Sequence, residues 1–477
     1  MKNYKIIIAL MIMFLGFSSC EGYLDREPLL EDSKELILGD KDGINDATAA
    51  LYSHFYRTSW YAAQFPIITD LKGNNSKSSP LSSGRYLTEY NWYQTPSNTM
   101  AGLWGRAYMA ITAASDVIDA VAEFELLPGQ EQVYLNHMAA EALFVRALSH
   151  FDLVRVFAQP FTHQPDGPGV PVITKREIGQ PARNTTREVY QQIEDDLEES
   201  LDLFMDIDSF LDKYRAGAAN PRGFASEDAA RALLARVHLY MGDYTKAALY
   251  ANQVIASPDY ELYTEAEYET VWGKNAQSEI IFEISGSMGN TGWPSWEEIG
   301  YLYYPGGSYG DICASNDLLN LFEPGDVRAN MFVEPDDHPG FFWPTKYPGK
   351  GLGGGERENN IPVFRLSEMY LIVAEAKLNG VAGNALDEYN EIRNHRGLTD
   401  AASVNMDNIF DERRRELCFE GHVLFDYARL KKTLIREDED ERLAGPTTIN
   451  FPSYLWAAPI PIGEMEANPN MDQNDGY

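Results

Sequence analysis

The chain is 477 residues long, 44% hydrophobic and 12% aromatic, with a formal net charge of −33 at pH 7. Such acidity excludes a nucleic-acid or anionic-membrane surface and disfavours strongly polyanionic ligands. The length suffices for a large core and on its own suggests two or three domains.

At the N-terminus Lys2 and Lys5 precede an apolar run, Ile6 to Phe17, which Phe17-Ser18-Ser19-Cys20 closes. This is the layout of a cleaved secretory signal over residues 1–19, with Cys20 placed as a lipobox cysteine. An ordinary signal peptide with an incidental cysteine is the alternative. The run is too short for a stable membrane span, and no later apolar stretch reaches that length. Acyl chains on Cys20 are therefore the expected anchor, at the outer membrane or the periplasmic face of the inner one. Residues 20–32, with Glu21, Asp25 and Glu27, read as a tether. Beyond it lie only Cys313 and Cys418, which either pair or stay as buried thiols.

Helical periodicity dominates the remainder. Leu143, Ala147, Phe151 and Val154 share one face of a helix predicted over Gln132–Phe157. Thr186–Phe204 is amphipathic, with Thr185 or Thr186 as cap. Ser226–Ser257 and Phe364–Arg396 read as two helical hairpins offset by 138 residues. Across that offset Leu233 matches Leu371, Gly242 matches Gly380, Ala247 matches Ala385 and Val254 matches Ile392. The glycines fall at the turns and the alanines where helices pack closely, the spacing of a tetratricopeptide pair. Trp104–Val121 and Gln132–Phe157 are candidate degenerate pairs. The predicted fold class is mainly α, a tetratricopeptide-like scaffold of helical pairs.

Two long aperiodic regions, 57–103 and 263–361, are rich in Gly, Pro, Ser, Asn and aromatics. Long irregular loops of this kind tend to carry function. Within the second, Glu279–Ser285 is a candidate strand. Pro459–Met465 is expected to be an extended, buried closing segment, and Arg436–Arg442 a solvated charged surface.

Several stretches, in order, resemble the SusD/RagB family of Bacteroidetes outer-membrane lipoproteins. They are Cys20–Pro28, Ala140–Ala147 with Phe151–Val154, Gly169–Val172, Thr185–Tyr190, Arg365–Ala376, Arg414–Leu417, Phe419–His422, Asp426–Arg429, Ile460–Ile462 and Asn468–Asn470. His422 stands where an arginine is common. The resemblance implies a single domain over 33–477, with the irregular loops forming a ligand-binding face. It implies capture of a nutrient, usually a glycan, at the cell surface and delivery to a SusC-like TonB-dependent transporter. It implies no catalysis and no cofactor. The alternatives are the same scaffold taking peptides, or a purely structural partner of the transporter.

Sugars offer flat C–H faces to aromatic rings, and hydroxyls to amides and carboxylates at the rim. The second loop supplies Trp293, Trp296, Tyr301, Tyr303, Tyr304 and Tyr309, with Asn290, Glu297 and Glu298 nearby. The first supplies Trp60, Tyr61, Asn74, Asn75, Tyr90, Asn91, Trp92 and Tyr93. Any of these rings could equally pin its own loop to the scaffold. The residues expected to bind ligand are Trp60, Asn74, Trp92, Tyr93, Trp293, Trp296, Tyr303 and Tyr309, foremost Trp92, Trp293 and Trp296; Trp104 is assigned to the core.

Catalytic patterns are thin. Gly306-Gly307-Ser308-Tyr309-Gly310 matches G-x-S-x-G but lacks the strand and helix that motif needs. Glu297-Glu298 are adjacent rather than set across a bond. The eight histidines form no metal-ligand spacing, and Gly351–Gly355 lacks the lysine of a phosphate loop. Arg413, Arg414 and Arg415 are expected to pair internally with Glu416, Glu420 and Asp426.

Overall fold

The computed structural model describes residues 37–126, 132–205, 218–286, 297–306, 309–350, 358–438 and 440–477. The expectations resting on Cys20, the 20–32 tether, Asn290, Trp293, Trp296, Ser308 and Gly351–Gly355 lie outside them.

The chain opens with α1 (Lys41–Leu51), whose cap Asp40 accepts the Gly43 N–H at 2.7 Å. It continues through α2 (Gln64–Lys72), strand β1 (Ser76–Ser78), the short α3 (Leu87–Tyr90), α4 (Ala101–Glu123), α5 (Gln132–Phe157) and α6 (Thr186–Met205). Thr185 closes a capping box on α6: Glu188 N–H donates to its hydroxyl at 3.2 Å, and its own N–H donates to the Glu188 carboxylate at 2.8 Å.

Helix α5 is enclosed by α1, α4 and α6, so its polar residues must find partners inside. Glu141 accepts the Tyr52 hydroxyl at 2.6 Å. Arg146 grips Asp196 of α6 through two bonds of 2.9 and 2.7 Å.

The two predicted hairpins are present. The first is α7 (Glu227–Met241) with α8 (Tyr244–Ile255). After it come β2 (Ile280–Ile284), α9 (Ile299–Leu302), β3 (Ile312–Ala314), α10 (Asn316–Leu319), β4 (Phe332–Val333), β5 (Trp343–Pro344) and β6 (Ile361–Arg365). The second hairpin is α11 (Leu366–Leu378) with α12 (Ala385–His395). Gly242 and Gly380 adopt φ of 78° and 101° at the turns, a region that favours glycine. Ala247 and Ala385 are buried, and α8 packs on α11, so the pairs stack into one continuous series from α4 onward. The chain ends with α13 (Met406–Glu416), α14 (Val423–Arg429), β7 (Leu434–Ile435), β8 (Thr448–Ile449) and α15 (Ile462–Ala467).

Among the described residues four two-stranded antiparallel sheets, β1–β3, β2–β6, β4–β5 and β7–β8, join segments of the irregular regions to one another. The strand expected at Glu279–Ser285 is β2. Among the described residues no helix is long and apolar enough to cross a membrane. Cys313 and Cys418 are both buried free thiols; burial pushes Cys418 up to about 12.

Three local expectations are corrected. Arg436–Arg442 is a docked strap rather than a solvated face. Arg436 is buried and donates to the Tyr90 and Leu71 carbonyls at 2.6 and 2.8 Å, while Asp438 pairs with buried Lys77 at 2.9 Å. The closing segment is buried only to Pro461, because α15 begins there and turns its residues outward. Of the three arginines, Arg413 does meet Asp426, at 2.8 Å. Arg414 instead donates to Asn75 Oδ1 and the Asn74 carbonyl at 3.0 and 2.9 Å, and Arg415 turns to Glu412.

Glu416 and Glu420 serve a different arginine. Fully buried Arg365, the last residue of β6, bonds Glu279 at 2.5 Å, Glu416 at 2.8 Å and Glu420 at 2.8 Å. Arg396 bridges Glu279 and Glu416 from the other side at 2.9 and 2.8 Å. Arg328 adds Glu412 and Glu416 at 2.6 and 2.9 Å. Burial works against ionisation of Glu416, yet Arg396 and Arg365 hold it well below the usual carboxylate range. Removing one partner strands buried charge, so Arg365→Ala is expected to cost about 3–5 kcal/mol in a denaturant titration; a loss no larger than that of a surface substitution would refute the network's role.

Glu283 of β2 differs, for its hydrogen-bond donors are amides and its nearby cation, Lys350, acts only weakly against burial. Burial pushes its carboxyl up to about 7, against bonds from Ala276 N at 3.1 Å, Asn220 Nδ2 at 2.8 Å and Asn360 Nδ2 at 2.9 Å. The folded state thus prefers the protonated form, and this contribution is full below the ordinary value of 4.5 and lost as pH rises through about 7. Glu283→Gln keeps the accepting oxygen and removes the titration. It should flatten the stability profile across that window and raise stability above it; an unchanged profile would refute the assignment.

Candidate functional site

The two aromatic loops meet along β1 and β3, where Ser76, Lys77 and Ser78 oppose Ala314, Cys313 and Ile312. The contact continues past the strands. Ser79 N–H donates to the Asp311 carbonyl at 2.9 Å, and Ser83 gives both its N–H and its hydroxyl to the Asp311 carboxylate at 2.8 Å. Arg85 then lies with its guanidinium 4.6 Å over the Tyr309 ring, between Asp311 at 3.3 Å and Glu297 at 3.5 Å. Stacking holds such a cation flat while its edges bond carboxylates.

Tyr301 and Gly310 are drawn together. Gly310 (φ 80°) donates to the Tyr301 carbonyl at 3.1 Å and accepts Trp343 Nε1 at 2.9 Å. A side chain there would meet the Tyr304 carbonyl at 2.9 Å. Beside this turn, α9, β4 and β5 border a cleft of about 540 Å³. Its floor is Tyr303 stacked on Tyr347, with centroids 6.1 Å apart and planes at 13°; its walls include Pro305, Val333, Pro335, Pro344 and Pro348, with Asp337 and Thr345 as polar groups. Tyr304 stands at the mouth, 40% exposed, its ring lying across Gly306, where an added Cβ would meet the hydroxyl at 2.7 Å. The arrangement is an apolar, aromatic cleft of ligand-binding size with polar groups at its edge.

The structure divides the expected ligand residues. Tyr303 lies in the cleft floor, only 2% exposed, and Tyr309 sits outside the lining beneath Arg85. Trp60 is core: it is fully buried, donates Nε1 to Asp152 at 2.8 Å and packs edge-on against Phe55, so it cannot offer a ring face. Trp92 is likewise enclosed, edge-on to Trp456 at 5.6 Å with Lys72 4.2 Å over its ring. Asn74 spends its amide on Asp317 Oδ2 at 2.5 Å and the Ile435 carbonyl at 3.1 Å, which holds β7 to the first loop. Tyr93 is exposed, but its hydroxyl donates to the Ala444 carbonyl at 2.6 Å, at the docked strap. Glu297 and Glu298 diverge: the first is exposed beside Arg85, the second buried with the Tyr56 hydroxyl at 2.9 Å.

Tyr304, Asp337 and Tyr347 line the candidate cleft, and Arg85 borders it through Tyr309; the sequence reading did not select them. No local signal marked them, since each is placed by contacts from distant parts of the chain. No group of His, Cys, Asp and Glu placed to hold a metal occurs among the described residues. Truncating a core tryptophan should cost about 3–5 kcal/mol, whereas a half-exposed tyrosine at a cleft mouth should cost at most about 0.5 kcal/mol. Denaturation of Trp60→Ala and Tyr304→Ala therefore separates the two roles, and equal losses would contradict this placement.

Residues 336–477 match the SusD family model, and residues 22–239 match a model described as starch-binding associating with outer membrane. A solved SusD superfamily protein from Bacteroides vulgatus is 31% identical, with 92% of this chain and 99% of that one covered and a TM-score of 0.81. Another from Bacteroides thetaiotaomicron is 28% identical, with 91% and 99% covered and a TM-score of 0.82. The starch-binding protein SusD of Bacteroides thetaiotaomicron is 33% identical over a stretch covering 25% of this chain and 22% of that protein. Stacked helical pairs carrying irregular aromatic loops, the family-model matches and a 31% identical relative aligned almost end to end agree: the chain belongs to the SusD/RagB family.

Proposed function

We propose that this chain is a lipid-anchored protein of the outer-membrane surface that binds an oligo- or polysaccharide in the Tyr304 cleft and delivers it to a SusC-like TonB-dependent transporter. The observation that carries this reading is the exposed Tyr304 ring at the mouth of the 540 Å³ cleft. A sugar face packs on such a ring, while its hydroxyls donate to the Asp337 carboxylate and exchange bonds with Thr345. The starch-binding name of one relative and the description of the matched N-terminal model point the same way. The Cys20 lipobox and the lack of a membrane-spanning helix among the described residues support lipid anchoring. The role is binding without bond cleavage, and residues 33–477 act as one domain. Trp293 and Trp296 are proposed as further stacking rings on the strength of their sequence alone.

The test is an array of plant, host and microbial polysaccharides, followed by calorimetry on each hit. Tyr304→Ala is expected to weaken binding by about tenfold or more, as loss of one aromatic platform does. Trp293→Ala and Trp296→Ala should do the same. A folded protein that binds nothing on the array would refute the reading; a hit indifferent to Tyr304→Ala would move the site elsewhere.

A further inference from the structure

We infer that this site selects uncharged saccharides and rejects uronic or sulfated ones, an inference that rests on the glycan reading above. Among the described residues lining the cleft, Asp337 is the only acid and no Lys, Arg or His occurs. Its side chain is 81% exposed, and its nearest cationic candidate, His338, is 3.7 Å away.

Among the described residues, the cations nearest the cleft by contact or sequence are already engaged. Arg85 sits between Asp311 and Glu297, two carboxylates for one guanidinium. Lys346 is buried against Glu420 and the Cys418 carbonyl, and Lys350 donates to the Gly286 carbonyl at 2.6 Å. The sequence of 287–296 and 307–308 adds no charged residue, that of 351–357 adds the opposite charges Glu356 and Arg357, and the whole chain carries −33.

A carboxylate or sulfate entering between tyrosine and proline walls would lose water and gain no counter-charge, while facing Asp337. Sites for anionic ligands instead present arginine forks or lysines. A neutral sugar meets neither penalty. It brings hydroxyl donors to Asp337 and C–H faces to Tyr304.

The experiment titrates the protein with neutral hexasaccharides (malto-, laminari-, cello- and xylo-) and with hexagalacturonate and a sulfated hexasaccharide, at low and high salt. The best neutral ligand should bind at least about tenfold tighter than either anionic one, with little change on adding salt. Asp337→Lys should bring the anionic ligands closer by raising their affinity in low salt. An anionic hexasaccharide that matches the best neutral one would overturn this inference and leave the glycan reading standing. Failure of every saccharide to bind would overturn both.

Discussion

Arg365 is surrounded by three carboxylates that reach it from two distant parts of the chain. Glu279 comes from the start of β2, Glu416 from the end of α13 and Glu420 from the turn before α14. Arg396 and Arg328 close the ring, one from the end of the second hairpin and one from the long second loop. An isolated buried charge is intolerable in a low-dielectric interior, so each of these segments can occupy only the place that satisfies the others. Buried ion pairs add little net stability over apolar packing. Here their structural consequence is to bring an otherwise irregular loop into one register with the helices.

The candidate cleft depends on that register. Lys346 joins the same network through Glu420, and its chain neighbours Thr345 and Tyr347 line the cleft. Tyr347 in turn donates its hydroxyl to the Phe419 carbonyl at 2.7 Å and stacks on Tyr303. The floor of the cleft is therefore held by the residues that follow α13, far away in sequence. On the other side, Trp343 and the β1–β3 ladder hold Gly310 and Asp311, and through them Arg85 and Tyr309. A loop anchored at both ends in this way presents rings in fixed orientations, and a rigid platform loses little entropy when a ligand settles on it.

The helical scaffold was legible because its signals are local. Gly242 and Gly380 mark turns through a backbone angle that favours glycine, and Thr185 with Glu188 marks a helix start through bonds made within four residues. The aromatic loops were legible only as a class. Trp60 and Tyr304 both sit in loops rich in small and polar residues, yet one fills the core beside Asp152 and the other stands in solvent. Nothing within a few residues of either distinguishes them, since the burial of Trp60 is decided by α5. The same holds for Arg436–Arg442, whose composition suits a solvated surface but whose partners, Lys77, Tyr90 and Leu71, lie more than three hundred residues earlier.

By itself, then, the sequence determined the helical pairs, their turns, the acidic character and the two regions from which a binding face would be drawn. Periodicity, caps and glycine angles act over one or two helical turns and can be read along a line. The tertiary structure decided which aromatics are exposed, which arginine gathers Glu416 and Glu420, and that residues 300–306 and 333–348 form one cleft. Burial and charge pairing depend on what packs from across the chain, and the residue supplying that contact is not marked in the segment that receives it.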